Sequence, residues 1–369
     1  MSGVTLPFRA EHVGSLLRPK MLTEAYRRRR ASAITDQELL AVTEQAIRDA
    51  VELQESVGLQ GITDGEFWRA SYWGHWVNAI DGFSVKPSLF RFGNNAGQEH
   101  EFLVAQCTGK LAKAAPISTT EFEFLKGLTG ETPKITMPSP STLHFWRLSE
   151  TWKGSIYGSD EEFMSDLGAI FRQELADLAA LGCRYIQLDE VPLVLLASPD
   201  IREQVSGLGS NPADLLDLYV RTTNNVTRNR NGVTAAFHIC RGNYKGTWLS
   251  EGGYNDVAER VFGEVDVDAF FLEFDTERSG GFEPLRFVPV DKKVVLGLVS
   301  SKTPVLEDAE MLKRRVEEAA QFIPMENLCL SPQCGFASTV AGNPLSKDDQ
   351  KRKLELVVET AETLWGSVD

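Results

Sequence analysis

The 369-residue chain carries 52 acidic against 38 basic side chains, a formal charge of -14, and 42% of its residues are hydrophobic. That acidity argues against a nucleic-acid-binding surface, and the apolar fraction suffices for a sizeable core in one long domain or two ordinary ones. No signal-type segment opens the chain, no apolar run reaches membrane-spanning length, and the five cysteines are scattered and odd in number, so a soluble protein in the reducing cytoplasm is expected.

Strand-like apolar runs alternate with helical patterns along the chain. The first run, Glu11-His12-Val13-Gly14-Ser15, is short and ends in small residues. A polar helical stretch follows, whose basic residues Arg27 to Arg30 read as a solvated face. Asp36 then opens an amphipathic helix through Val57, with Asp36 as its N-cap. The second run is Leu59 to Asp64, followed by Gly65-Glu66-Phe67. Residues 68–131 break the rhythm: they are aromatic and Gly-rich, with alternation at 101–106 and 119–124. They are expected to form an insertion containing a hairpin. The third run is Lys134 to Pro140. A helix over 160–181 leads to the fourth, Tyr185 to Glu190, and a helix over 212–228 to the fifth, Val233 to Cys240. A helix over 254–262 precedes the sixth, Ala269 to Glu273. The seventh is Val294 to Val299. After a helix over 306–322 comes the eighth, Asn327 to Ser331, and a final helix covers 347–364.

Eight strands alternating with helices predict an α/β fold, a (β/α)8 TIM barrel. The expectation is a single catalytic domain over 1–369 with a long insertion, about 68–131, after the second strand. A doubly wound sheet is the alternative and would not need eight repeats.

Active sites of such barrels lie at the C-terminal strand ends. There the chain places Gly14, Ser15, Glu66, Ser139, Asp189, Glu190, His238, Cys240, Glu273, Lys302 and Cys334. His238 and Cys240, two apart on a strand, share a face. Imidazole and thiolate are favoured zinc ligands. Cys334 offers a second sulfur, and Glu273, a carboxylate closing an apolar strand, needs a partner. Taken singly, a buried His or Cys is more often an inert core residue. Convergence at one end of the barrel is what points to a tetrahedral zinc site, with Glu273 as its exchangeable ligand. Cys107, Cys183 and Cys329 are read as structural. Glu66 and Asp189 suit an ammonium group, although Asp189 or Glu190 alternatively caps the next segment. Gly14-Ser15 is either a plain tight turn or a set of backbone N–H donors for a carboxylate. Trp68, Trp73 and Trp76 anchor the insertion or offer a stacking surface. Arg241-Gly242-Asn243 lacks phosphate-loop spacing.

As an ordered set, His12-Val13-Gly14-Ser15, Asp64-Gly65-Glu66-Phe67, Ile186-Gln187-Leu188-Asp189-Glu190, His238-Ile239-Cys240, Phe271-Leu272-Glu273 and Ser331-Pro332-Gln333-Cys334-Gly335 resemble the catalytic C-terminal barrel of cobalamin-independent methionine synthases. The match is to a short, single-barrel form, and it is weakest from 82 to 131. The resemblance implies zinc as cofactor, with His238, Cys240, Glu273 and Cys334 as its ligands. It implies that Gly14 and Ser15 hold the homocysteine carboxylate and that Glu66 and Asp189 hold its amino group. The implied reaction moves a methyl group from 5-methyltetrahydrofolate, or a related donor, to homocysteine to form methionine. The synthases carry Asp-x-His-Ser where this chain reads Ser300-Ser301-Lys302-Thr303-Pro304, so Lys302 stands where a catalytic His is expected, and His12 is a second departure. Asp189 and Lys302 are the catalytic candidates, with Lys302 expected over the pocket. Zinc-dependent alkylation of another small thiol by a different electrophile, such as an epoxide, is the alternative chemistry. A non-catalytic zinc- or thiol-binding relative is the alternative class. No nucleic acid or membrane partner is implied.

Overall fold

The apolar runs pair with one another in the order in which they occur. A computed structural model of the protein describes residues 6–90, 92–93, 99–100, 102–230, 232–243 and 245–369. Strand β1 (Gly61–Ile62) is followed by β2 (Ile80–Pro87), the two-residue β3 (Phe92–Gly93) and β4 (Glu99–His100), and β5 (Leu103–Lys113). Then come β6 (Thr132–Pro138), β7 (Tyr185–Glu190), β8 (Thr234–Ile239), β9 (Ala269–Glu273), β10 (Lys293–Val299) and β11 (Leu328–Pro332). The order β1-β6-β7-β8-β9-β10-β11 makes one curled parallel sheet of seven strands. It has no reversal of strand order, which a doubly wound sheet requires.

The first expected run does not form a ladder. The residue just before it makes a single parallel bridge, Ala10 to Leu330, with Glu11 N–H donating to Leu330 O at 2.9 Å and Leu330 N–H to Arg9 O at 2.8 Å. On its other side His12 Nε2 donates to Gly61 O at 3.0 Å. The segment thus stands between β11 and β1, tied to one by backbone and to the other by a side chain. It ends at Gly14, where φ is +128°. A Cβ there would lie 2.5 Å from Thr136 Cγ2, so the close approach of this turn to β6 needs glycine.

Two local expectations are corrected. The N-cap of the long helix Asp36–Ser56 is Thr35, whose hydroxyl accepts from Glu38 N–H while the Glu38 side chain reaches back to Thr35 N–H, a reciprocal cap that Asp36 cannot make. The alternating stretch 119–124 is helix, Thr119–Lys126, burying Glu121, Phe122 and Leu125. Over so few residues the pattern fits either period, and the one-three-four spacing of the buried residues decided it. Between β1 and β6, β2 and β5 pair antiparallel, from Ile80 against Lys113 to Pro87 against Leu103.

Side chains alternate along each strand, and the two faces meet different surroundings. Ile186, Leu188, Phe237 and Leu272 join the helices in the main core. Val13, Tyr185, Ala236, Phe271, Val295 and Cys329 form a separate cluster inside the curl. Its floor holds a fully buried pair, Lys134 Nζ to Glu11 Oε2 at 2.7 Å, with Tyr185 OH donating to Glu11 Oε1 at 2.8 Å. A buried charge needs such complete partnering. The inward series then climbs from Tyr185 through Gln187 to Asp189, and from Ala236 to His238. Apolar and paired groups fill the bottom, and titratable groups stand at the top. Among the described residues no helix is long and apolar enough to cross a membrane.

Candidate active site

At the C-terminal ends of the strands lies a cavity of about 360 Å³. β8 delivers His238 to it, Cys240 follows just past the strand, and Cys334 comes two residues after β11. The ligand atoms of these three buried residues all lie within 4.8 Å of one another. Neither ring nitrogen of His238 has an oxygen or nitrogen partner, and, against the effect of burial, the Cys334 sulfur beside it raises this imidazole. A hydrogen bond from Cys240 holds Cys334 well below the ordinary thiol range, with His238 helping and burial opposing. The same bond, together with burial, pushes Cys240 well above it. A buried imidazole beside two sulfurs, one of thiolate character, is a donor set that fits zinc.

Glu273 lies outside that set. Its Oε1 accepts from Lys302 Nζ at 3.0 Å and from Arg278, and its Oε2 accepts from Arg241 N–H at 2.9 Å. Burial would raise this carboxyl, but Lys302, Arg278 and Arg241 together hold it well below the usual carboxylate range. Lys302 is itself buried against Glu273 and Asp275, and it does not line the cavity.

Glu66 and Asp189 do line it. Glu66 sits in the left-handed region at φ +62°, held there by its N–H bond to Asp64 Oδ1 at 2.8 Å. Thr136 donates to its Oε1 at 3.0 Å, while its buried Oε2 has no partner. Burial raises this carboxyl, with Arg69 and Arg18 opposing. Asp189 Oδ1 accepts from Gln187 Nε2 at 2.7 Å, and burial, then the charge of Glu66, pushes Asp189 up to about 7. Two under-partnered carboxylates on one cavity make a seat for a cation. Glu190 is engaged differently. It accepts from Leu193 N–H at 2.8 Å and from Ser141, so of the two neighbouring acids it is Glu190 that caps the next segment.

Ser15 lines the cavity beside the cysteine turn, with Phe336 N–H donating to Ser15 O at 2.9 Å. A Cβ on Gly335 would lie 1.9 Å from Ser15 Oγ. Ser139 is buried and bonded to Ser141 at 2.7 Å, away from the cavity lining.

Of the three tryptophans, Trp73 reaches the cavity. Trp76 stacks on Phe171 at 3.8 Å, and Trp68 meets Phe124 edge-on at 5.5 Å. Tyr72, Phe102 and Trp146 complete an aromatic wall that sequence reasoning missed. They come from separate loops, with no shared period to announce them. Asn243, given no role from sequence, donates to Gly335 O at 3.0 Å and steadies the cysteine turn.

The catalytic domain of the cobalamin-independent synthase family matches residues 8–362. The chain belongs to this family. With it the chain is a methyltransferase, and its place among these synthases agrees with the curled parallel sheet. It is 40% identical over 367 residues to the uncharacterized Bacillus subtilis protein YxjH, covering 97% of this chain and 95% of that one. It is 26% identical over 325 residues to the methionine synthase of Pyrococcus horikoshii, covering 88% and 85%. A crystal structure from Listeria monocytogenes, provisionally assigned as a vitamin-B12-independent methionine synthase, superposes with a TM-score of 0.78 at 31% identity, over 99% of this chain and 100% of that one.

Proposed function

We propose that this family member is a zinc-dependent thiol methyltransferase that converts homocysteine to methionine, taking the methyl group from 5-methyltetrahydrofolate or a related donor. One observation carries the reading: the sulfur–imidazole trio and the Glu66–Asp189 pair share a single cavity. His238, Cys240 and Cys334 would hold the zinc, and Glu273 is the fourth group the sequence offers. Zinc, when bound, supplies the Lewis acidity that makes a thiol nucleophilic at neutral pH.

The chain's own residues do the rest. Glu66 and Asp189 take the ammonium group of homocysteine, and the Gly14-Ser15 turn takes its carboxylate, which fixes the sulfur's direction. An arriving ammonium favours the ionised form of Asp189, so a proton leaves that carboxyl as substrate binds. Tyr72, Trp73, Phe102 and Trp146 exclude water and give a planar donor a face to stack on. Asp189, ionised by that ammonium, serves the reaction by orienting the amine and not by donating a proton.

In this reading the whole chain is one catalytic domain, a (β/α)8 barrel with the Arg9–His12 segment as its eighth strand and 68–131 inserted after β1. It works in the cytoplasm, where its five buried, unpaired cysteines stay reduced. The test is methionine formation by zinc-replete protein given homocysteine and, in turn, monoglutamyl methyltetrahydrofolate, polyglutamyl methyltetrahydrofolate and other methyl donors. Zinc-loaded protein that binds homocysteine and turns over with no donor would instead be a binding relative.

A further inference from the structure

The group that the sequence supplies as a fourth zinc ligand is already satisfied without a metal. We propose that Lys302 and Arg278 hold Glu273 in a standing ion-pair cluster, so that the resting metal takes three protein ligands, His238, Cys240 and Cys334, and its fourth position is left to the incoming thiol. This rests on the zinc reading above and refines it.

Both oxygens of Glu273 are engaged, Oε1 by Lys302 and Arg278 and Oε2 by the Arg241 N–H. Around them are three cations, Arg241, Arg278 and Lys302, and one further carboxylate, Asp275. Drawing Glu273 to a metal would leave three buried positive charges facing one negative, which the low-dielectric interior penalises heavily.

The cations cannot follow it. Arg241 is pinned by bonds to Gly252 O at 2.7 Å and Ser279 O at 3.1 Å, and it stacks on Tyr254 at 4.4 Å. Arg278 lies over the Trp248 ring at 4.6 Å. Lys302 bridges Glu273 and Asp275 at 3.0 and 3.5 Å. The sulfur–imidazole trio is the reverse case, since the His238 ring nitrogens have no oxygen or nitrogen partner. One group of side chains therefore lacks a cation, and its neighbour has cations in excess.

The chemical consequence is a change of charge. Two thiolates and a neutral imidazole on Zn²⁺ sum to zero, against -1 with a carboxylate added. A neutral centre draws a thiolate more strongly. A thiol would then enter without displacing a protein ligand, its S–H proton passing to solvent as its sulfur takes the position left open. Lys302, at the position where the synthases carry His, is on this account a positioning residue acting through Glu273.

The test uses the full chain, stripped of metal by chelation. Zinc affinity is measured by competition with a chromophoric chelator, and coordination by the visible spectrum of the Co²⁺ form, for wild type, Glu273→Gln and Lys302→Met. Wild type should bind one metal per chain, and Glu273→Gln should keep its zinc Kd within about threefold. Lys302→Met, which takes away one of the two side-chain cations that hold Glu273 Oε1, should tighten zinc by about tenfold or more and shift the Co²⁺ spectrum before thiol is added. Zinc weakened about tenfold or more in Glu273→Gln overturns the proposal. If Glu273→Gln does not fold, Lys302→Met decides, since an unchanged Kd and spectrum also overturn it. Wild type that binds no zinc overturns the zinc reading and this inference together, whereas zinc bound in a Glu273-dependent way removes only the inference.

Discussion

Glu66 and Asp189, 123 residues apart in the chain, face one cavity, and the charge of Glu66 adds to burial in lifting the Asp189 carboxyl to about 7. The carboxyl therefore binds its proton more tightly in the folded than in the unfolded protein. In the free enzyme its stabilising contribution is full below the unfolded value, about 3.9, and is lost as the pH rises towards 7.

Ligand binding runs the other way. An ammonium group needs the ionised acid, so affinity for the thiol-free analogue 2-aminobutyrate should fall about tenfold per pH unit below 7. Asp189→Asn should weaken binding and flatten that dependence. At pH 8, without ligand, the variant should be more stable than wild type by on the order of 2 kcal/mol. Calorimetry from pH 5.5 to 8 and urea titrations at pH 5 and 8 check both. Binding that is independent of pH would remove Asp189 from the amine site.

Glu66 holds one oxygen towards Thr136 and leaves the other without a partner. Glu66→Gln removes the charge while keeping the shape. Homocysteine affinity should fall about 10- to 100-fold, the size of a charged hydrogen bond of about 1.5–3 kcal/mol. Zinc content and affinity for a simple alkyl thiol should not change. Equal wild-type affinity for homocysteine and the alkyl thiol would count against the assignment.

Metal analysis of purified protein should give close to one zinc per chain. Cys240→Ser and Cys334→Ser should each lose most of it, because hydroxyl oxygen replaces a favoured sulfur ligand. A strong chelator should abolish methyl transfer, and added zinc should restore it. Full zinc in both serine variants would place the metal elsewhere.

Gly335 leaves no room for a side chain against Ser15. Gly335→Ala should push the Ser15 turn off its position and raise the KM for homocysteine about tenfold or more, with zinc retained. Ser15→Ala, which removes only the hydroxyl, should change KM far less, because the proposed carboxylate donors are backbone N–H groups. Steady-state kinetics of the two variants separate these effects.

Burial, then the charge of Lys134, lowers His12 to about 3, so it stays neutral and keeps its bond to Gly61 O. The unfolded chain binds that proton near pH 6.5. His12 therefore destabilises the fold progressively as the pH falls from about 6.5 to about 3. His12→Ala should remove that part of the acid sensitivity. It should also cost about 1–3 kcal/mol at pH 7, where it strands the Gly61 carbonyl. Urea titrations across this pH range test both effects.

Much of the fold was legible because strand formation here is local. Runs such as Ala269 to Leu272 and Val294 to Val299 are apolar on both faces, as strands between a helical layer and a filled interior must be, and their lengths and spacing read directly as a repeating unit. The His238-x-Cys240 spacing was legible for the same reason, since a period of two is a property of the strand itself. The short alternation at 119–124 misled because a few residues satisfy either period.

Sequence by itself determined which chemical groups stand at the strand ends: an imidazole, two thiols and a row of carboxylates. Only the tertiary structure decided which of them are free to act. Asp189 and Glu190 both line the cavity, but the Glu190 oxygens are taken by Leu193 N–H and Ser141, and Glu273 is held by Arg278 and Lys302, 5 and 29 residues further along. The reason is physical. Alternation along a strand is fixed by backbone geometry, whereas the partner of a buried charge depends on which distant loops the fold brings to within hydrogen-bonding distance of it.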